Sequence, residues 1–418
     1  VAVRRPDARR GSPRGPRRAA GLVLAALLTA SACAAPGPTG AESAARGIGA
    51  ALDRRAAAVL GHDPAGYLDA LAPGATGLRA AQRAEFANLA DVPLKSWTYE
   101  VKGVTGRSGD RATADVELRY RIAGYDSAPA AARRTLELTR DGARWYITAD
   151  RPAEGAAGQL WQQGEVDVVR GAHSLVLGVG RPARELREVA AVVDLAVPAV
   201  SDAWPRPWAR RVVVLVPDSV EDMAELLGSA EEAGYRGIAA VTTGEVGTGR
   251  RPALADRVIV NPRAYEQLEG FGRRVVLTHE TTHVAARTAT SKSTPVWLSE
   301  GFADWTAYRG EDRTAQEIAP ELTDAVRRGE PPAALPADED FGFDGEPGSL
   351  ARAYESGWTA CALIAENWGE KKLAAFYAAV GGHPGRDGAV EQALRTVLGT
   401  TPERFAADWR DYLSARLG

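Results

Sequence analysis

The sequence predicts an α+β fold in two units, and three observations carry that reading. Helical periodicity from about 42 gives way to strand-like alternation between 96 and 148. A Pro/Gly/Ala-rich stretch at 151–158 separates this from a second run of mixed strands and helices. From about 263 to the end the pattern is almost wholly helical. The expected organisation is a leader at 1–33, a tether at 34–41, an accessory unit at 42–150 and a larger unit at 160–418. With 418 residues, 45% hydrophobic and 25% charged, the chain has material for two cores.

The leader comes first. Arg4, Arg5, Arg9, Arg10, Arg14, Arg17 and Arg18 precede the apolar run at 21–30, which is too short to span a bilayer. Small residues Ala30, Ser31 and Ala32 then lead into Cys33, a segment that resembles the lipobox of bacterial lipoproteins although Ala30 stands where that pattern usually has Leu. The resemblance implies export, lipid on Cys33 and attachment to the outer face of the cell membrane; ordinary signal cleavage nearby is the other reading. Pro36, Gly37, Pro38, Thr39 and Gly40 suit a tether.

In the accessory unit, 42–60, 64–71 and 78–89 place apolar residues three and four apart, as helices do. Strands are expected at 96–104, 111–122, 133–139 and 143–148, with turn chemistry at Ser108-Gly109-Asp110 and Asp141-Gly142. Element order and the ending Arg144-Trp145-Tyr146-Ile147 resemble the cone-shaped family related to nuclear transport factor 2. That resemblance implies a curved antiparallel sheet around a pocket that either binds a small molecule or packs on a partner. No catalytic constellation is found there, so an accessory role is expected.

The larger unit predicts strands at 165–170, 174–179, 211–216, 237–242 and 257–260 and helices at 183–202 and 218–227, forming a mixed sheet before the helical half. Thr401 followed by Pro402 supplies an N-cap and a first-position proline for the last helix. A net charge of -3, from 51 basic and 54 acidic residues, offers no basic face for nucleic acid. The two cysteines, Cys33 and Cys361, sit in contexts too different for a disulfide, and Cys361 reads as a buried thiol.

Only five histidines exist, and two of them, His279 and His283, frame Glu280 in a segment free of Gly and Pro. On a helix, positions four apart share a face, so both imidazoles can reach one zinc ion while Glu280 lies beside that face as a proton acceptor. Glu300, seventeen residues beyond His283 on a second expected helix after Pro295, supplies a third ligand and leaves a fourth position open. Two surface histidines paired with carboxylates is the bland alternative for the pentapeptide alone. Asp304, one turn after Glu300, is either a partner for the outer ring N–H of a ligand histidine or an exposed helix acid.

His279 to His283, with Trp297-Leu298-Ser299-Glu300-Gly301-Phe302-Ala303, resembles the gluzincin clan of zinc metallopeptidases, especially peptidase MA-like relatives of the M1 aminopeptidase family. A third block, Ala353-Tyr354-Glu355-Ser356-Gly357-Trp358, is similar to that family's Tyr-Glu-Lys-Gly segment and so implies Tyr354 as the oxyanion donor. The resemblance covers about 275–370. The loop at 284–296 is shorter than in the aminopeptidases, and no Gly-x-Met-Glu-Asn segment precedes the zinc helix; the corresponding stretch runs from Gly237 to Glu245. Exopeptidase specificity is therefore not implied. The expected function is zinc-dependent hydrolysis of a peptide or protein substrate, with a non-catalytic, envelope-anchored lipoprotein that binds peptides or small ligands as the alternative. His173, His383 and the acidic loop 338–346 are read as surface features.

Overall fold

A computed structural model describes residues 40–229, 233–243, 255–342 and 347–418; the leader with Cys33, the tether up to Thr39, Glu245 and the end of the acidic loop lie outside the described residues. Three helices open the described chain, α1 (Gly40–Leu60), α2 (Pro64–Asp69) and α3 (Thr76–Asn88). In α1 the buried set Ala44, Ile48, Leu52, Arg55 and Val59 recurs every three or four residues, which lays one face on the sheet that follows. Asp63 caps α2 by accepting the N–H groups of Ala65 and Gly66, and Pro64 fills its first position.

The alternating segment folds into an antiparallel meander of β1 (Leu94–Ser108), β2 (Arg111–Ile122), β3 (Ala130–Asp141) and β4 (Arg144–Pro152), in that spatial order. After α4 (Leu160–Gln163) comes the second sheet, made of β5 (Val166–Arg170), β6 (Ser174–Val179), β7 (Val212–Val216), β8 (Ala240–Thr242) and β9 (Val258–Val260). Its order is β5-β6-β7-β9-β8, with β6, β7 and β9 parallel and the two edge strands antiparallel to their neighbours. Helix α5 (Ala183–Ala203) and short α6 (Val220–Leu226) connect these strands.

Strand alternation decides what each face of this sheet touches. Val212, Val214 and Val216 pack with Leu186 and Val193 of α5, whereas Val213 of β7, Leu175 and Leu177 of β6 and Ile259 of β9 turn to the opposite face. There they join Ile48, Leu52, Trp97, Ile122 and Ile147, so one hydrophobic core serves the first sheet, its helices and one face of the second sheet. A buried ion pair crosses the same boundary: Arg257, just before β9, meets both carboxylate oxygens of Asp126, beyond β2, at 2.7 and 2.8 Å. Residues 40–418 form one compact unit.

The rest is helical: α7 (Pro262–Glu266), α8 (Gly270–Ala286), α9 (Val296–Tyr308), α10 (Ala315–Ile318), α11 (Pro320–Arg327), α12 (Pro347–Trp368), α13 (Glu370–Gly381), α14 (Ala389–Ala393) and α15 (Pro402–Leu417). They enclose a separate core around Leu298, Phe302, Ile364, Phe376, Trp409 and Leu413. Thr401 accepts the Arg404 N–H to start α15. Among the described residues no helix is long and apolar enough to cross a membrane. The fold class is α+β, with an antiparallel sheet, a mixed sheet and a helical C-terminal half.

Candidate metal centre

Helix α8 is seated by Leu277, fully buried against the valine face of the second sheet. His279 and His283 follow at one-turn spacing, and α9 packs alongside to bring Glu300 between them. The two Nε2 atoms are 3.0 Å apart, and Glu300 Oε2 lies 3.2 Å from that of His279 and 3.4 Å from that of His283. A tetrahedral zinc site with bonds of about 2.0–2.1 Å has ligand-to-ligand edges of about 3.3 Å. The triangle matches that size, and two imidazoles with one carboxylate form a zinc donor set. Among the described residues it is the one group of this kind.

The surroundings reinforce the match. Asp304 Oδ1 lies 2.7 Å from His279 Nδ1, so the outer ring N–H donates to a carboxylate and Nε2 faces the triangle. Burial opposes a charge on His279, but Asp304 and Glu300 outweigh it and hold the imidazolium pKa well above its usual value. For Glu300, burial favours the neutral acid, yet His283 and His279 bring its carboxyl well below the ordinary range. Both directions say that the pocket between these side chains favours positive charge.

Glu280 lies outside the ligand triangle and is buried. Its Oε2 accepts a 2.5 Å hydrogen bond from the hydroxyl of Thr242, the last residue of edge strand β8. The loop between α8 and α9 is held at several points. Thr290 bonds the Tyr377 hydroxyl at 2.7 Å, and Ser291 and Ser293 donate to the carbonyls of Gly381 and His383 at 2.8 and 2.7 Å. A Cβ on Gly381 would lie 1.7 Å from the Ala289 carbonyl oxygen, so the loop rests directly on the end of α13.

Helices α9 and α12 touch backbone to backbone. A Cβ on Gly301 would fall 2.2 Å from the Gly357 carbonyl oxygen, and one on Gly357 would fall 2.6 Å from that of Trp297. This crossing sits beside Glu300 and one turn after Tyr354. The half-buried Tyr354 ring meets Phe341 edge-on at 5.2 Å. Its neighbour Glu355 turns to another task, accepting the N–H groups of Leu322 and Glu321 at the start of α11, at 2.6 and 3.3 Å. Burial pushes the Glu355 carboxyl up to about 7 despite those two donors.

The remaining sequence candidates take structural roles. His173 receives and gives main-chain bonds only, its N–H meeting Asp194 and its carbonyl Val212. His383 bonds Gly385 through Nδ1. In the acidic loop, Asp338 accepts the Val296 N–H at the start of α9, and Asp340 accepts that of Ala337. Cys361 is fully buried, which raises its thiol pKa. Thr242 was missed by sequence reasoning, because nothing local ties a threonine on a three-residue strand to a carboxylate 38 positions later.

No known protein family profile matches the sequence, and no curated protein matches it. Among solved structures, the chain is similar to an M1 zinc metallopeptidase mutant from Deinococcus radiodurans bound to a Tyr-Ser-Ala substrate, at 14% identity and a TM-score of 0.33. The match covers 73% of this chain and 62% of that one, so this chain spans less than two thirds of that protein's length. The chemistry of the site therefore stands on its own side-chain geometry.

Proposed function

We propose that this protein is an exported zinc peptidase of gluzincin type, tethered to the outer face of the cell membrane through lipid on Cys33. The observation that carries the reading is the His279/His283/Glu300 triangle with edges of 3.0–3.4 Å, backed by Asp304. Those three side chains would hold zinc. When bound, the ion supplies a Lewis acid that lowers the pKa of water and polarises a carbonyl.

The chain's own groups do the rest. Asp304 fixes the ring and tautomer of His279. Glu280 takes the proton from the attacking water and passes it to the leaving amine, which is why a carboxylate outside the ligand set is needed. Tyr354 donates one hydrogen bond to the oxyanion. Strand β8 lies at the sheet edge with Thr242 at its end, so an extended peptide can add to it as a further strand and be delivered beside Glu280. Export rests on the Arg-rich start, the apolar run at 21–30 and the small residues before Cys33.

The test is metal content and peptide cleavage measured on the same preparations. About one zinc per chain is expected, lost in His279→Ala and Glu300→Ala, and a peptide library should be cut by wild type and left intact by zinc-loaded Glu280→Gln. Wild-type zinc in both ligand variants would overturn the site; zinc without cleavage would leave a peptide-binding lipoprotein. Mass spectrometry of membrane-extracted protein should place acyl groups on an N-terminal Cys33, and an unmodified terminus elsewhere would remove the anchor.

A further inference from the structure

We propose that Thr242 is a positioning residue for Glu280, and that the N-terminal sheet holds Thr242 in place through Asp126 and Arg257. The proposal rests on the peptidase reading above and gives the accessory unit a part in the site. Thr242 is 1% exposed, and its hydroxyl meets the Glu280 carboxylate at 2.5 Å and the Glu280 main-chain carbonyl at 3.1 Å. One carboxylate oxygen is thereby fixed, and the proton-accepting task falls to the other.

A three-residue edge strand is weakly held by its own ladder, so the contacts beyond its end matter. The Arg257 N–H donates to Thr243 Oγ1 at 2.9 Å, and the Thr243 N–H donates to the Arg257 carbonyl at 2.8 Å. Arg287, one turn past His283, donates to the Thr243 carbonyl at 2.9 Å and pairs with Asp256 at 2.9 Å. Arg257 is itself immobilised, by both oxygens of Asp126 and by the Asp256 carbonyl at 3.0 Å. Every step from Asp126 to Arg257, Thr243, Thr242 and Glu280 is thus a direct bond or a peptide link. The same network ties the strand to the end of the histidine helix.

Removing the Thr242 hydroxyl leaves a buried carboxylate oxygen without that donor and frees the side chain to turn. Misplacement by about 1 Å costs on the order of 100-fold in rate. Thr242→Val, nearly isosteric, is expected to lower kcat about 10- to 100-fold with KM and zinc content unchanged. Thr242→Ser should restore kcat to within about threefold, since it keeps the donor. Asp126→Asn, assayed well below its own melting midpoint, should lower kcat in the same direction with zinc retained.

An arm independent of activity uses metal-free protein. Urea midpoints of Thr242→Val, Glu280→Met, which has no oxygen to accept the hydroxyl, and the double variant should be non-additive, because both changes break one contact. Wild-type kcat in Thr242→Val, or an additive cycle, would overturn the positioning role. Wild-type kcat in Asp126→Asn would overturn the link to the N-terminal sheet. If zinc-loaded wild type cuts no peptide, the peptidase reading fails, and the cycle still reports whether the Thr242–Glu280 contact exists.

Discussion

Replacing Gly301 by alanine adds one methyl group at the place where α9 and α12 touch. Its Cβ would stand 2.2 Å from the Gly357 carbonyl oxygen, against 3.4 Å for the start of ordinary contact, a deficit of 1.2 Å (3.4 − 2.2). Backbone on both sides leaves no flexible side chain to give way, so the helices must part by about 1 Å. Overpacking of this kind costs about 1–3 kcal/mol. Glu300 is the adjacent residue, and ligand distances in metal sites are held within about 0.2 Å, so the separation should also weaken zinc binding by roughly tenfold or more. Urea unfolding of the metal-free protein and zinc competition with a chelator give the two quantities. Gly49→Ala in α1 is the control, since its Cβ meets nothing within 4 Å and helix propensity favours alanine by about 0.5–1 kcal/mol. If Gly301→Ala matches wild type in both assays, the glycine contact does not set the position of Glu300.

Three further outcomes are expected. Asp304→Asn keeps a weak acceptor for His279 but loses the charge, and zinc affinity should fall about 10- to 100-fold with the fold intact, as read by chelator competition. Tyr354→Phe should retain zinc and stability while turnover drops by about 2.7–4 kcal/mol of transition-state stabilisation; unchanged turnover would make that ring a packing element against Phe341. Burial lifts the folded Glu355 carboxyl from its ordinary 4.5 to about 7, so its contribution is fully present below 4.5 and is lost as pH rises through 7. Wild-type stability should therefore decline between pH 5 and 8 more than that of Glu355→Gln, which keeps an acceptor for Leu322 and carries no charge; parallel pH profiles would contradict this.

What the sequence made legible was what repeats locally. The two-residue alternation at 111–122 predicts β2 to the residue, and four-residue spacing puts His279 and His283 on one face of α8. Strand β1 extends to Ser108, past the expected 104, because pairing continues to the hairpin, with Ser108 opposite Arg111, where side-chain alternation has faded. Glu300 could be nominated because a proline start and a short return bring its helix back. Asp304 could not be separated from an exposed acid, since a carboxylate one turn along a helix is common and only the 2.7 Å contact distinguishes it. Thr242, Asp126 and Arg257 were illegible for a different reason. Their meaning lies in contacts across 38 and 131 positions of chain, which no local pattern encodes. Gly301 and Gly357 were visible as letters within two motifs, but their contact with each other was not.

The core shared by the two sheets has a consequence for synthesis. The last residue of the first sheet is Pro152, yet the apolar surface that closes over that sheet includes Leu175, Leu177, Val213 and finally Ile259. A ribosome adding about 5–20 residues per second needs roughly 5–20 s to cover the intervening 107 positions (259 − 152). Throughout that interval the meander has its strands and the face of α1 but lacks the part of its core that the second sheet supplies. The core of the first sheet is therefore incomplete before α8 and α9 are made, and a pause before Ile259 has been made and released would lengthen that exposure.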